Sequence, residues 1–98
     1  MHRLYHDFNK LWPGTTGHLR CAPLVCRGTH EDLQRQSLTL SEGMKVVLYM
    51  PDYDDAGQPG ALEVKAIIRR DQKEGCFVAD FIWDELKFIR GDSPNKDA

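Results

Sequence analysis

The acidic segment from Asp52 to Glu63 has residue types and spacing that resemble a calcium loop. The match covers positions 1, 3, 6 and 12 of a loop of the EF-hand type, which are occupied by Asp52, Asp54, Gly57 and Glu63. Ala56 stands at position 5, however, and the flanking residues alternate like strands rather than helices. We therefore favour a polar hairpin loop, and calcium binding is the alternative.

A second group of potential metal ligands lies within thirteen residues and consists of His18, Cys21, Cys26 and His30. Zinc prefers thiolate sulfur and imidazole nitrogen in a tetrahedron. The two cysteines are separated by four residues, whereas zinc sites usually have a gap of about two. We favour buried cysteines beside surface histidines, with zinc as the alternative, and we predict no bound metal and no cofactor.

A cysteine beside a histidine would supply a nucleophile and its base, and Cys26 and Cys76 are candidates for such a pair. Their sequence neighbours do not indicate an activated thiol. Asp80 lies between apolar residues of a predicted strand, where a solvated carboxylate is favoured over a catalytic one. Since the chain also lacks a glycine-rich phosphate loop and a nucleophile elbow, we predict that it is not an enzyme.

Tyrosines flank the acidic segment and suggest recognition rather than catalysis, because their rings provide a large contact area with few rotatable bonds. We predict a binding surface at the 51–60 loop, composed of Tyr49, Asp52, Tyr53, Asp54 and Asp55. The alternative is that these rings cover the ends of the fold. The expected partner is a protein, or a second copy of the chain paired through exposed strand edges.

Three stretches of alternating polarity predict the strands that hold this loop. Residues 44–50 and 62–69 flank the loop, and residues 77–83 form the third stretch. Residues 71–75 predict a tight reversal in which Gly75 occupies a left-handed position.

The N-terminal part of the chain is less uniform. Residues 3–12 fit a helical apolar stripe and also a short strand, and Pro13 ends either element. Residues 17–25 are extended, and Pro23 assigns them to an edge strand or a bulged strand.

One short helix of about two turns is predicted to begin near Gly28. We expect Thr29 to cap the free amide of Asp32 at its first turn. Residues 37–40 then alternate like another strand.

Together these elements predict a mostly β protein, a small antiparallel barrel of five or six strands with one short helix. We expect a single domain over residues 1–90 and a flexible tail over residues 91–98. The predicted inward-facing side chains are Leu19, Leu38, Leu40, Met44, Val46, Leu48, Leu62, Val64, Ala66, Ile68, Phe77, Ala79, Phe81 and Leu86. Because side chains of this size fill a small barrel, function is expected at the surface.

Length, charge and hydrophobic content indicate a single globular domain. A chain of 98 residues with a net charge of −2 and 41% hydrophobic residues fits one globular domain. It contains no apolar run long enough to cross a bilayer and no clustered basic face for nucleic acid. The first seven residues lack the apolar stretch of a secretory signal, so we expect a soluble cytoplasmic protein with reduced thiols.

Several segments resemble small bacterial proteins that have a Src-homology-three-like barrel and no assigned activity. The resemblance rests on residues 43–49 (GMKVVLY), 62–64 (LEV) and 77–83 (FVADFIW), and it extends to 5–9 (YHDFN) and 28–33. It covers most of residues 3–90 and implies the barrel fold without implying any chemistry.

The middle of the chain is also similar to the barrel of PilZ domains, which bind a cyclic dinucleotide. That family carries an Arg-x3-Arg pair, whereas Arg20 and Arg27 lie seven residues apart here. The departure argues against dinucleotide binding.

Overall fold

Seven β-strands, one α-helix and one 3-10 turn form the described part of the structure, a computed structural model that covers residues 1–90. The predicted tail, residues 91–98, lies outside the described residues. In chain order the elements are β1 (His2–Tyr5), β2 (Trp12–Pro13), β3 (Leu19–Pro23), α1 (Arg27–Arg35), β4 (Lys45–Tyr53), β5 (Pro59–Asp71), β6 (Cys76–Ile82), the 3-10 turn (Trp83–Glu85) and β7 (Lys87–Arg90).

The strands form one sheet in the order β1-β4-β5-β6-β3-β2, and β7 also pairs with β5. The antiparallel pairing of β4, β5 and β6 agrees with the prediction, and Gly75 has a φ of 71° at the reversal before β6. β5 is thirteen residues long, and its edge opposite β4 is shared by β7 near Gly60 and by β6 near Ile68. The mostly β class with a single helix is therefore confirmed.

The prediction of a small antiparallel barrel is confirmed only in part. The sheet is open, and β1 lies parallel to β4 with Leu4 opposite Leu48. Parallel neighbours need a long crossover, and here the chain passes through β2, β3 and α1 before it returns as β4.

The outer edge of β1 is covered by α1 instead of by another strand. The Tyr5 amide donates to the Asp32 carboxylate, and the Thr29 hydroxyl donates to the Tyr5 carbonyl. The Gln36 side-chain amide donates to the Arg3 carbonyl at 2.8 Å. Since helix side chains satisfy these backbone groups, the edge needs no further strand, which explains why the sheet ends here.

Two further local predictions need correction. Residues 37–40 do not form a strand, although Leu38 and Leu40 pack against the core as predicted. Thr29 does not cap the helix; α1 begins earlier, with Cys26 as its N-cap residue. The open choice for residues 3–12 is resolved as the end of β1, an irregular turn and the first residue of β2.

The core follows the alternation of β4, β5 and β6. Seven of the predicted inward side chains are buried, and Leu38, Leu40, Met44, Phe77 and Leu86 pack around them. Leu19 and Leu62 are only partly buried and lie outside this cluster, whereas Leu4, Ala22 and Leu24 join it. Within residues 1–90, no helix is long and apolar enough to cross a bilayer.

Candidate functional site

The predicted acidic binding surface is divided by the structure into two parts. β4 runs on to Tyr53, so the loop itself is only residues 54–58. Tyr53 is 68% exposed, and Asp55 beside the loop is exposed as well. The Asp54 carboxylate accepts the amides of Ala56 and Gln58 at 2.9 and 2.8 Å, so it organises the turn.

Tyr49 faces a different neighbourhood from the loop. Its hydroxyl donates to the Asp32 carboxylate at 2.9 Å, and the Arg3 guanidinium lies 4.5 Å from the centre of its ring. Burial and the hydrogen bond to Asp32 both raise the pKa of Tyr49. Of the five predicted binding residues, Tyr49 is thus bound to α1, whereas Tyr53, Asp54 and Asp55 stay together at the hairpin.

The predicted calcium ligands are not brought together. Asp52 pairs across the ladder with Gly60, whereas Glu63 lies three ladder positions away and forms an ion pair with Arg3. The Asp52 carboxylate accepts the amide of Tyr53 at 2.8 Å.

The predicted zinc ligands are also separated by the fold. Cys21 is buried in β3, Cys26 precedes α1, and His18 and His30 are exposed. No cluster of three or more His, Cys, Asp or Glu side chains that could hold a metal ion occurs in the described part of the chain.

A polar cluster at the junction of β1, α1 and β4, in which His6, Thr29 and Asp32 are buried, was not predicted. We call it the β1–α1 corner, and its members are His6, Cys26, Thr29, Asp32 and Tyr49. Burial by itself would raise the pKa of Asp32, but hydrogen bonds from Arg35, Tyr49 and the Tyr5 amide lower it below its ordinary value. Asp32 is therefore a carboxylate held by three donors, one of them a charged arginine.

His6 and Cys26 form the second half of this corner. The His6 ring is fully buried; its Nε2 lies 2.8 Å from the Lys10 carbonyl and its Nδ1 lies 3.7 Å from the Cys26 sulfur. Because a carbonyl only accepts, Nε2 carries the hydrogen and Nδ1 presents a lone pair to the thiol. Burial lowers the pKa of His6, which favours this neutral form.

The local sequence contained one signal of this corner. Thr29 and Asp32 are one turn apart on α1 and are its two buried residues, so the buried stripe of this helix is polar. A helix that buries a polar stripe must meet hydrogen-bonding groups, and the open edge of β1 provides them. The pairing of His6 with Cys26, twenty residues away, left no such local pattern.

The other thiol of the predicted zinc group has opposite surroundings. Cys21 is buried, and burial together with the nearby Asp80 carboxylate raises the pKa of its thiol to about 11. Arg69 donates to Asp80 at 2.6 and 3.2 Å and places a guanidinium nitrogen 3.7 Å from the Cys21 sulfur. Asp80 is thus an ion-pair partner rather than an isolated carboxylate.

An apolar groove crosses the outer face of β5, β6 and β3. It has a volume of about 490 Å³, and its apolar lining includes Met1, Leu19, Ile67 and Ile82. Ile67 is 50% exposed and Ile82 is 41% exposed, both unusual for isoleucine in a sheet. Lys45 on β4, Lys65 on β5 and Glu85 in the 3-10 turn also line the groove.

Comparisons of this chain with family models, with curated proteins and with solved structures gave no significant match.

Proposed function

We propose that this protein is a non-enzymatic interaction module that binds a second copy of itself through the groove lined by Met1, Leu19, Ile67 and Ile82. The exposed isoleucines are the observation that carries the proposal, because a contiguous apolar face on a small domain is typical of an interface. In a dimer the groove would lose its contact with water.

Charge complementarity favours a second copy as the occupant. The groove is lined by Lys45 on β4 and by Glu85 in the 3-10 turn that follows β6, so both signs of charge are present in it. In the proposed dimer, a two-fold axis through the groove brings Lys45 of each copy against Glu85 of the other. Such an interface is self-complementary, as closed dimers require.

The acidic loop supports a second contact surface in the same proposal. Tyr53 is exposed there beside Asp55, and the Asp55 carboxylate makes no hydrogen bond within residues 1–90. Asp52 and Asp54 use their carboxylates locally and would contribute charge rather than new hydrogen bonds.

Sedimentation equilibrium over a range of protein concentrations tests the proposal. We expect a monomer–dimer equilibrium that Ile67→Thr weakens, because threonine keeps the strand preference and removes apolar area. Val25→Thr is the matched control, since Val25 is 59% exposed and does not line the groove. A protein that stays monomeric at millimolar concentration would overturn the proposal.

Charge exchange tests the arrangement of the two copies. Lys45→Glu and Glu85→Lys should each raise the dissociation constant about tenfold, because symmetry counts each exposed pair twice. The double variant should restore dimerisation, while Lys73→Glu in the turn before β6 should have no effect. If the double variant is as weak as the single ones, the two copies do not meet in this orientation.

A further inference from the structure

The Cys26 thiol occupies a position that favours reaction at sulfur. Cys26 is the N-cap residue of α1, a helix of nine residues, and its side chain makes no capping hydrogen bond. The first amides of a helix have no partners within the helix and carry partial positive charge, which stabilises an anion beside them. The Cys26 side chain therefore stands at the end of the helix where these donors lie.

His6 supplies the second, independent feature. Its ring is fully buried, and the contact of Nε2 with the Lys10 carbonyl directs the Nδ1 lone pair at Cys26. Within the described residues, Nδ1 has no hydrogen-bond partner other than the Cys26 sulfur. A buried base with a fixed tautomer therefore faces a partly exposed thiol.

Gly28 and Thr29 hold this pair in place. A Cβ atom at Gly28 would lie 2.5 Å from the Tyr5 ring, so the first turn of α1 packs directly on β1. Thr29 is fully buried and donates to the Tyr5 carbonyl, one residue before His6. The distance between the imidazole and the thiol is thus set by the attachment of the helix to the strand.

We propose that Cys26 is a nucleophilic thiol that exchanges with low-molecular-weight disulfides, with His6 as its base, and so forms a mixed disulfide at the first turn of α1. This site is independent of the dimer interface proposed above. The other cysteines differ from it, because Cys21 is buried and Cys76 forms no hydrogen bond through its thiol in the part of the chain described.

The exchange step balances with the disulfide as the oxidant. The thiol proton of Cys26 moves to His6 Nδ1 while the sulfur attacks one sulfur atom of the reagent. The bond between the two reagent sulfurs breaks, and a new bond joins Cys26 to the attacked sulfur. The leaving thiolate takes the proton from His6 and departs as a free thiol. Cys26 is oxidised to the mixed disulfide, and the second half of the reagent is reduced.

Oxidised glutathione is a suitable probe, with mass spectrometry of the digested protein to identify the cysteine that carries it. In the unaltered protein we expect Cys26 to react about tenfold faster than Cys76 at neutral pH. The gain is bounded at about thirtyfold, because a free cysteine is already a few per cent thiolate there. Equal rates, or a faster Cys76, would overturn the proposal without any variant.

His6→Gln tests the role of the imidazole. Glutamine keeps a donor for the Lys10 carbonyl and removes the base, so the rate of Cys26 should fall several-fold, toward that of Cys76. Cys21 reports folding in the same experiment, because a buried thiol stays unmodified unless the protein opens. An unchanged Cys26 rate with Cys21 still protected would remove His6 from the mechanism.

Cys26→Ser provides the matched control. This variant should lose the fast phase of modification and retain the slow modification of Cys76. A fast phase that persists in Cys26→Ser would assign the reactive thiol elsewhere and overturn the proposal.

Discussion

Cys21 and Cys26 lie five residues apart in the chain, yet the fold gives them opposite environments. Cys21 sits within β3 beneath the Arg69–Asp80 ion pair, and its thiol has a pKa of about 11. Cys26 precedes α1, is partly exposed, and contacts a buried neutral imidazole. Burial beside a carboxylate raises the pKa of the Cys21 thiol, whereas the proposed reactivity of Cys26 depends on its contact with the His6 imidazole.

The two environments also differ in what maintains them. The surroundings of Cys21 belong to a continuous antiparallel ladder of β3, β6 and β5. The surroundings of Cys26 depend on the contacts between α1 and the edge of β1, chiefly through Asp32 and Thr29. Changes at the β1–α1 corner should therefore disturb Cys26 before they disturb Cys21.

The largest effect is expected from Asp32→Ala. The substitution leaves the Tyr5 amide and the Tyr49 hydroxyl without their acceptor and should lower the free energy of unfolding by about 3 kcal/mol. Urea denaturation followed by circular dichroism measures the loss. Glu31→Ala, an exposed acid on the same helix, is the control and should cost about 0.5 kcal/mol. Equal losses would mean that Asp32 does not anchor α1.

Gly28→Ala should destabilise the protein by about 2 kcal/mol, although alanine is the better helix former. The new methyl group would overlap the Tyr5 ring and push α1 away from β1. Thermal unfolding provides the measurement, and Gly17→Ala is the control because a Cβ atom there meets nothing within 4 Å. A stabilised Gly28→Ala variant would contradict the close packing of helix on strand.

Thr29→Val should cost about 1.5 kcal/mol, because the nearly isosteric side chain cannot donate to the Tyr5 carbonyl. Thr39→Val, at an exposed position outside the helix, should leave the unfolding midpoint unchanged. Hydrogen exchange of the α1 amides would locate the effect. We expect faster exchange there and little change in β6, and uniform acceleration would refute the independence of the two regions.

Acid should weaken the β1–α1 corner further through Asp32. The folded-state pKa of this carboxyl is lowered, so its contribution to stability is fully present above the pKa of the unfolded chain. The contribution is lost as the pH falls through the lowered folded value. Urea denaturation of the protein and of Asp32→Asn across this acidic range should give curves that converge toward low pH. A constant difference in stability would show that ionisation of Asp32 is not involved.

The smallest effect is expected from Arg69→Gln beside Cys21. The Arg69–Asp80 pair is partly exposed, so its loss should change the free energy of unfolding by at most about 1 kcal/mol. Cys21 should remain unreactive toward oxidised glutathione, because burial is the main reason for its raised pKa. A Cys21 that reacts readily in the folded variant would show that Arg69, rather than burial, protects the thiol.

The strands that could be predicted are those in which apolar and polar residues alternate along the chain. The alternation in residues 44–50, 62–69 and 77–83 predicted β4, β5 and β6, because side chains of a strand alternate between a buried and an exposed face. The predicted loop proved shorter, since β4 continues through Asp52 to Tyr53 by pairing with β5. Backbone hydrogen bonds between strands do not depend on side-chain polarity. The polar residues 51–53 therefore predicted a loop, although they belong to β4.

The candidate site was less predictable for the same reason. Cys26 was a candidate nucleophile, but its base, His6, comes from a segment whose strand or helix character was ambiguous. Asp32 was expected only as a residue of the first helical turn, and its carboxylate instead binds three donors from β1, β4 and α1. Residues that meet from distant segments have no characteristic spacing in the sequence, so these contacts could not be predicted from it.

The sequence by itself determined a mostly β domain with one short helix, because strand alternation and helix-start signals are local properties of the chain. The tertiary structure decided that β1 pairs with β4 in parallel and that its outer edge is covered by Thr29 and Asp32 of α1 and by the C-cap residue Gln36. It also decided which thiol meets an imidazole and which lies beneath an ion pair. Buried backbone groups need hydrogen-bond partners. At the β1–α1 corner, Asp32 and Thr29 satisfy the amide and the carbonyl of Tyr5, and this explains why α1 packs on β1.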